Sequence, residues 1–277
     1  MTGSTPRLHL NDGHSIPQLG FGVFQIPPGE TAAAALHALR SGYRALDTAA
    51  AYNNEAELAA GIAGSGLERE AVFVTTKLWN SEHGHDRTAR AFEASLGRLG
   101  LDYVDLYLIH WPVPSRGLYA ETWQALCELR TEGRARSIGV SNFALEHLER
   151  IIDASGVVPA VNQIELHPRL QQARLRDFHE RHGILTEAWS PLGQGAILDE
   201  PLIARIASEL DRTPAQVVLR WHVQLGNVAI PKSVTPERIE QNLRIFDFEL
   251  GEEHMHAIGE LDAGGRIGPD PETFAVV

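Results

Sequence analysis

Short apolar runs and amphipathic stretches alternate along this chain with a regular beat. GVFQ (22–25) precedes a helical pattern from Thr31 to Ser41, RALD (44–47) precedes Glu55 to Ala63, and VFVTTK (72–77) precedes Asp86 to Leu99. The alternation continues with VDLYLIH and Tyr119 to Thr131, ARSIGVS and Leu145 to Ala154, AVNQIE and Gln172 to His182, and ILTEAWS and Pro201 to Leu210. A further helix and NVAIPKS (227–233) follow. Near-continuous apolar runs, as opposed to every-second-residue alternation, predict strands buried on both faces, hence a parallel sheet covered by helices. A closed (β/α)8 barrel and a doubly wound open sheet both satisfy that pattern. Upstream, Asp12-Gly13 between two short extended stretches predicts a small β-hairpin before the main fold. Thr213-Pro214-Ala215-Gln216 has the chemistry of a capped helix start, and Thr235-Pro236-Glu237 is expected to repeat it.

Composition narrows the function classes. The 277 residues contain no Pro/Gly/Ser-rich linker and no internal repeat, so residues 1–277 are read as a single domain, and 43% hydrophobic residues supply a sizeable core. With 24 basic against 36 acidic residues the net charge is −12, and no basic run offsets it, so neither nucleic acid nor an anionic membrane is an expected partner. The single cysteine, Cys127, excludes an intrachain disulfide and is expected to be a core thiol on a helix. The N-terminus lacks an apolar signal core, and no apolar run reaches the roughly 18 residues of a membrane helix, so the expected location is the cytoplasm. No metal site is expected. No G-x-G-x-x-G or Walker loop is present, so any nucleotide is held otherwise than in a doubly wound sheet.

In a barrel of this kind, reacting groups come from the C-terminal ends of strands. The polar residues there are Asp47, Lys77, His110, Ser141-Asn142, Gln163, Ser190 and Lys232-Ser233. Tyr52 follows Asp47 closely enough to hang over the same mouth. A phenol of pKa about 10 is a poor acid at neutral pH, and Lys77 is expected to lower that value while Asp47 keeps the lysine charged. A neutral His110 could donate a hydrogen bond to a carbonyl oxygen. Alternatively, Asp47 and Lys77 form an ion pair that only braces the fold, or Lys77 forms a Schiff base as in an aldolase. Ser141, Asn142 and Gln163 suit the carboxamide of a nicotinamide, and Trp189 offers a stacking face. Lys232, Ser233 and the helix start at Thr235 to Arg238 gather cations and free N–H groups for a phosphate, unless the helix is simply capped and Arg238 solvated.

LDTAAAYNNE, VTTKLWN, DLYLIHWP, SIGVSNF, AVNQIELHP, AWSPLGQG and IPKSVTPERIEQN, in this order, resemble the aldo-keto reductase superfamily along nearly the whole chain. The opening NDGHSIPQLGFGVFQIPP together with SPLGQG and FDFEL is most similar to the bacterial 2,5-diketo-D-gluconate reductase branch. The resemblance implies a (β/α)8 TIM barrel with a short N-terminal β-hairpin and NADPH-dependent reduction of aldehydes, ketones or dicarbonyls by a Tyr52, Asp47, Lys77, His110 tetrad. It further implies that Gly22, Val23, Asp47, Ser141, Asn142, Gln163 and Trp189 lie at the nicotinamide end and that Ser190, Leu192, Gln194 and Gly195 lie along the pyrophosphate. Lys232, Ser233, Val234, Arg238, Gln241 and Asn242 correspond to the adenosine 2′-phosphate end, whose cations favour NADPH over NADH. Phe24, Trp79, His110 and Trp111 would wall a small carbonyl substrate. Where the family usually has Tyr-Gly-Asn-Glu, this chain reads Tyr52-Asn53-Asn54-Glu55, so Asn53 would have to meet any positive φ there. The short tail after Asp262 is expected to leave the pocket open, and a monomer is expected. The alternative from another class is a non-catalytic subunit that binds the nucleotide as a redox sensor.

Overall fold

The computed structural model describes residues 5–277; residues 1–4, which the single-domain expectation also includes, lie outside the described part. The chain opens with the expected hairpin, β1 (Arg7–His9) antiparallel to β2 (Ser15–Pro17), with Leu8 opposite Ile16. In the turn between them Asp12 Oδ1 accepts from the His14 N–H at 3.1 Å. Leu10 and Ile16 then pack with Ala45, Leu106 and Val161, so the hairpin closes the barrel's lower end with apolar side chains.

Eight parallel strands follow in chain order: β3 (Phe21–Gly22), β4 (Ala45–Asp47), β5 (Phe73–Leu78), β6 (Val104–Ile109), β7 (Ala135–Ser141), β8 (Val161–Glu165), β9 (Leu185–Trp189) and β10 (Val228–Ala229). The two ends of this sheet meet. Leu19, just before β3, bridges Ala229 in parallel register; the Gly20 N–H donates to the Ala229 carbonyl at 2.9 Å, and the Ala229 N–H to the Gln18 carbonyl at 3.1 Å. A doubly wound sheet keeps two open edges, so this closure selects the barrel. The first strand ends earlier than GVFQ implied because Gln25 has φ of 61°, which an extended strand cannot accommodate.

The outer layer comprises α1 (Pro28–Ser41), α2 (Glu55–Ser65), α3 (His85–Leu99), α4 (Tyr119–Thr131), α5 (Leu145–Ser155), α6 (Ala173–His182), α7 (Pro201–Glu209), α8 (Pro214–Gln224), α9 (Pro236–Leu243) and α10 (Glu252–Gly259). At α8 the capping box forms as expected: the Gln216 N–H donates to Thr213 Oγ1 at 3.2 Å and the Thr213 N–H to Gln216 Oε1 at 2.9 Å. At α9 it does not. Arg238 holds the third helical position, where a box needs Glu or Gln, and its N–H donates to the Thr235 carbonyl at 3.1 Å, so the Thr235 hydroxyl makes no cap; the Thr235 N–H is met instead by Ser233 Oγ at 3.1 Å. Cys127 is half-buried on α4, packed against the edge of the core and not within it as expected. Between β7 and β8 the backbones approach so closely that a Cβ on Gly139 would lie 2.5 Å from the Val161 carbonyl oxygen. Among the described residues no helix is long and apolar enough to cross a membrane.

Candidate active site at the barrel mouth

Strand β4 ends on Asp47, and the chain turns through a short helical turn, Ala50–Tyr52, that carries Tyr52 back over the mouth. Asn53 closes this turn with φ of 53°, the left-handed geometry that asparagine tolerates better than most residues. Asn54, fully buried, secures it: Nδ2 donates to the Val23 carbonyl at 3.1 Å, and Oδ1 accepts from Thr48 Oγ1 at 2.8 Å. Two asparagines thus build the loop that the family's usual Gly-Asn pair would build.

Lys77, on β5, is fully buried; Nζ donates to Asp47 Oδ1 at 2.6 Å and to the Thr48 carbonyl at 2.9 Å, and stands 3.5 Å from the Tyr52 hydroxyl. Burial, the largest single influence, pushes the ammonium down, but Asp47, by its charge and its hydrogen bond, together with Tyr52 and Glu187 outweighs it and the lysine pKa rises, so Lys77 is charged. For Tyr52 the expectation must be corrected. Burial raises its pKa and dominates; Lys77 pulls the other way without reversing it, and Asp47 adds a further upward push. The phenol is therefore firmly protonated in the free protein, and any acidity must develop when positive charge arrives beside it. His110, next to β6, packs edge-on between Tyr52 (ring centres 5.6 Å apart) and Trp79 (5.3 Å). Burial, reinforced by Lys77, holds its pKa well below the ordinary range, so the ring is neutral, the condition under which it could donate to a carbonyl oxygen.

The opposite wall is a hydrogen-bonded relay of amides. The Ser141 hydroxyl donates to the Gln163 carbonyl at 2.9 Å. Asn142, held at φ of 62°, donates from Nδ2 to the His110 carbonyl at 3.0 Å and accepts the Trp189 indole N–H at 2.8 Å. Gln163 Nε2 donates to Asp47 Oδ2 at 2.8 Å and to Glu187 Oε2 at 2.9 Å. Both of its N–H bonds are thereby committed inward, which leaves Oε1 as the free acceptor of an amide that lines the cavity. Glu187 was not singled out from the sequence. The available signal was a lone acid in the buried run ILTEAWS.

Asp47, Tyr52, His110, Ser141, Asn142, Gln163 and Trp189, but not Lys77 or Glu187 behind them, line a cavity of about 1560 Å³ that extends past Ser190, Leu192, Gln194 and Gly195 to Lys232, Ser233, Val234, Arg238, Gln241 and Asn242. Lys232 and Arg238 are exposed, and among the described residues neither lies within ion-pair distance of a carboxylate. They flank the start of α9, where the Arg238 N–H is taken by the Thr235 carbonyl at 3.1 Å but, among the described residues, the Glu237 N–H has no acceptor, so two cations and a free N–H coincide, as a terminal phosphate requires. The volume exceeds the roughly 300–1,000 Å³ of a pocket for one small ligand and leaves room for an extended cofactor and a substrate together. Gly22, Phe24, Trp79 and Trp111 also line it, whereas Val23 turns its side chain into the core.

The expectation of an open pocket is overturned by the tail. Residues 263–277 cross the mouth, and Ile267, Gly268, Pro269 and Phe274 join the cavity wall. The fully buried Glu165 carboxylate accepts the backbone N–H groups of Ile267 (2.7 Å) and Gly268 (2.8 Å), Asn80 Nδ2 donates to the Val276 carbonyl (2.7 Å), and Phe274 packs on Trp111 with ring centres 4.4 Å apart. Gly268 lies so close to Trp189 that a Cβ there would be 2.5 Å from the indole.

The aldo/keto reductase family model matches residues 18–263. The chain belongs to this family. An aldo-keto reductase of Mycolicibacterium smegmatis is 58% identical over 270 residues, covering 98% of each chain, and one of Mycobacterium tuberculosis is 51% identical over 280 residues, covering 99% of each. Among solved structures, a mutant of Gox0644 in complex with NADPH superposes with a TM-score of 0.95 at 51% identity, covering 98% of this chain and 99% of that one. The Bombyx mori aldo-keto reductase in complex with NADP gives 0.90 at 36% identity and 96% coverage of both.

Proposed function

We propose that this aldo-keto reductase uses NADPH to reduce aldehydes, ketones or dicarbonyls to alcohols, with Tyr52 donating the proton to the carbonyl oxygen. The observation that carries this is the buried chain Asp47–Lys77–Tyr52, at 2.6 and 3.5 Å, ending at a phenol in a cavity long enough for a dinucleotide. The side chains fit NADPH: the free Gln163 Oε1 can accept from a carboxamide, Trp189 can stack on the ring, and Lys232, Ser233 and Arg238 at the start of α9 can hold a 2′-phosphate. When bound, NADPH supplies the hydride that adds to the carbonyl carbon.

The neutral His110 orients the carbonyl oxygen toward the phenol by donating a hydrogen bond. Tyr52 transfers its proton to that oxygen as charge develops, and the adjacent ammonium of Lys77 stabilises the phenolate left behind. Asp47 keeps Lys77 charged and in register. All four residues and both ends of the groove come from one chain, which supports a single-domain monomer as the catalytic unit. The similarity of SPLGQG and neighbouring stretches to the 2,5-diketo-D-gluconate reductase branch supports keto-sugar acids as one substrate class, and Phe24, Trp79 and Trp111 suit a small carbonyl compound with some apolar surface.

Loss of NADPH absorbance with 2,5-diketo-D-gluconate, methylglyoxal, phenylglyoxal and aromatic aldehydes tests the reading. Oxidation with at least one is expected; tight NADPH binding with no turnover on any of them would instead favour a sensor. Replacing Lys232 and Arg238 together by Ala should weaken NADPH roughly tenfold or more while leaving NADH nearly unchanged.

A further inference from the structure

The barrel interior holds an acid that the mechanism above leaves unused. Glu187, in the middle of β9, is 1% exposed and points inward, while its neighbour Thr186 points outward to bond His179 of α6. The groups facing Glu187 are few. From β8 comes Gln163, from β4 Asp47 and from β5 Lys77, with Tyr52 beyond; β10 brings Val228 alongside in register. The three bonds of the Lys77 ammonium go to Asp47, Thr48 and Tyr52. Among the described residues Glu187 therefore has no cation of its own, only the neutral amide N–H of Gln163 at 2.9 Å. A carboxylate buried with one neutral donor is costly, and Asp47, sharing that same amide, adds repulsion. Burial first, then Asp47, pushes the Glu187 carboxyl up to about 8, with Gln163 and Lys77 opposing.

We propose that Glu187 is a positioning residue for the nicotinamide end, holding the Gln163 amide in its productive orientation, and that it releases its proton to compensate the positive charge of the oxidised cofactor. This rests on the cofactor placement proposed above. The two cofactor forms differ at the nicotinamide by one unit of charge, and only NADP+ presents a cation to the amide that Glu187 holds. On NADP+ binding the carboxyl O–H bond breaks, the electron pair stays on the carboxylate, and the proton passes to buffer; NADPH binding releases none. Glu187 thereby couples ambient pH to the balance between the two forms, favouring release of NADP+ in mild acid and its retention in mild alkali.

The test is the ratio of NADP+ to NADPH dissociation constants, read by quenching of tryptophan fluorescence between pH 6.5 and 9.5, in wild type and Glu187→Gln. The 2′-phosphate is common to both forms and cancels in the ratio, His110 titrates far below this window and Lys77 above it, and Tyr52, whose acidity the NADP+ charge would raise, is removed as a proton source by repeating both measurements in a Tyr52→Phe background. In wild type NADP+ should gain on NADPH by several-fold, up to roughly tenfold, as pH rises through about 8, from the interaction of unit charges several ångströms apart in a partly screened interior. Glu187→Gln keeps the acceptor for Gln163 but cannot ionise, so its ratio should be flat while NADPH affinity stays near normal. Titration calorimetry of wild type in two buffers of different ionisation enthalpy supplies a second measurement independent of any variant, and should show proton release with NADP+ alone. A flat wild-type ratio, no proton release, or an unchanged slope in Glu187→Gln overturns the proposal. Failure of both cofactors to bind wild type would overturn the placement beneath it.

Discussion

Replacing Glu165 by Ala should release the tail from the barrel mouth without unfolding the barrel. The carboxylate accepts two backbone N–H groups of the tail, at 2.7 and 2.8 Å, with His167 Nε2 at 3.0 Å and an Arg266 guanidinium nitrogen at 3.9 Å. Hydrogen bonds to a charged acceptor contribute about 1.5–3 kcal/mol each, so two give roughly 3–6 kcal/mol. The lower end applies, because burying the carboxylate offsets part of the gain. About 3 kcal/mol corresponds to a roughly 100-fold rise in local opening, readable as faster hydrogen exchange at the Ile267 and Gly268 amides, with the central strands unchanged. The effect should also appear in acid. Burial raises the Glu165 pKa, but the bonds from His167, Ile267 and Gly268 prevail and hold it below that of an ordinary glutamate. A carboxyl whose folded pKa is depressed stabilises the closed tail fully above its unfolded pKa and loses that contribution as pH falls through the folded value. The tail should thus be closed at neutral pH and should lose this hold in acid, as pH falls through the depressed Glu165 pKa. Exchange at Ile267 and Gly268 that is the same in wild type and Glu165→Ala would refute the reasoning.

Other perturbations have equally definite outcomes. Asp47→Asn leaves the Lys77 ammonium buried without its counter-charge and Lys77→Met leaves the Asp47 carboxylate so; each should cost about 3–5 kcal/mol in denaturant unfolding, more than replacing both together. Gly139→Ala forces a Cβ against the Val161 carbonyl and the Leu108 side chain, so the β7–β8 spacing must widen. It should lower stability by about 1–3 kcal/mol, seen as a reduced Tm, with turnover per folded molecule largely retained.

Much of the site was legible because strand-end residues are set by local order. The candidate residues Asp47, Lys77 and His110, the Ser141-Asn142 and Gln163 wall and the Lys232 to Arg238 cluster all follow apolar runs whose ends the pattern marks, and α4 has the bounds that its periodicity implies. What stayed hidden depended on contacts distant in sequence. Closure of the sheet rests on Leu19 meeting Ala229, and no local period distinguishes that from an open sheet. The tail's course rests on Glu165 meeting Ile267 and Gly268, a pairing across about 100 residues. The Tyr52 pKa was misjudged because a neighbouring lysine can be read from sequence while the depth of burial that outweighs it cannot. Glu187 is not legible in the sequence because an acid inside a strand looks the same there whether it faces the barrel interior or the helices. Thr235 carried the residue type of a cap, but Arg238 stands where the reciprocal partner would be.

The central claim, that Tyr52 is the proton donor, is tested most directly by Tyr52→Phe, with NADPH binding and carbonyl-dependent NADPH oxidation measured on the same preparation. The account predicts that turnover falls by at least the roughly 10²–10⁴-fold typical of losing a general acid, while the NADPH dissociation constant stays within about twofold of wild type. Turnover near the wild-type rate would contradict it.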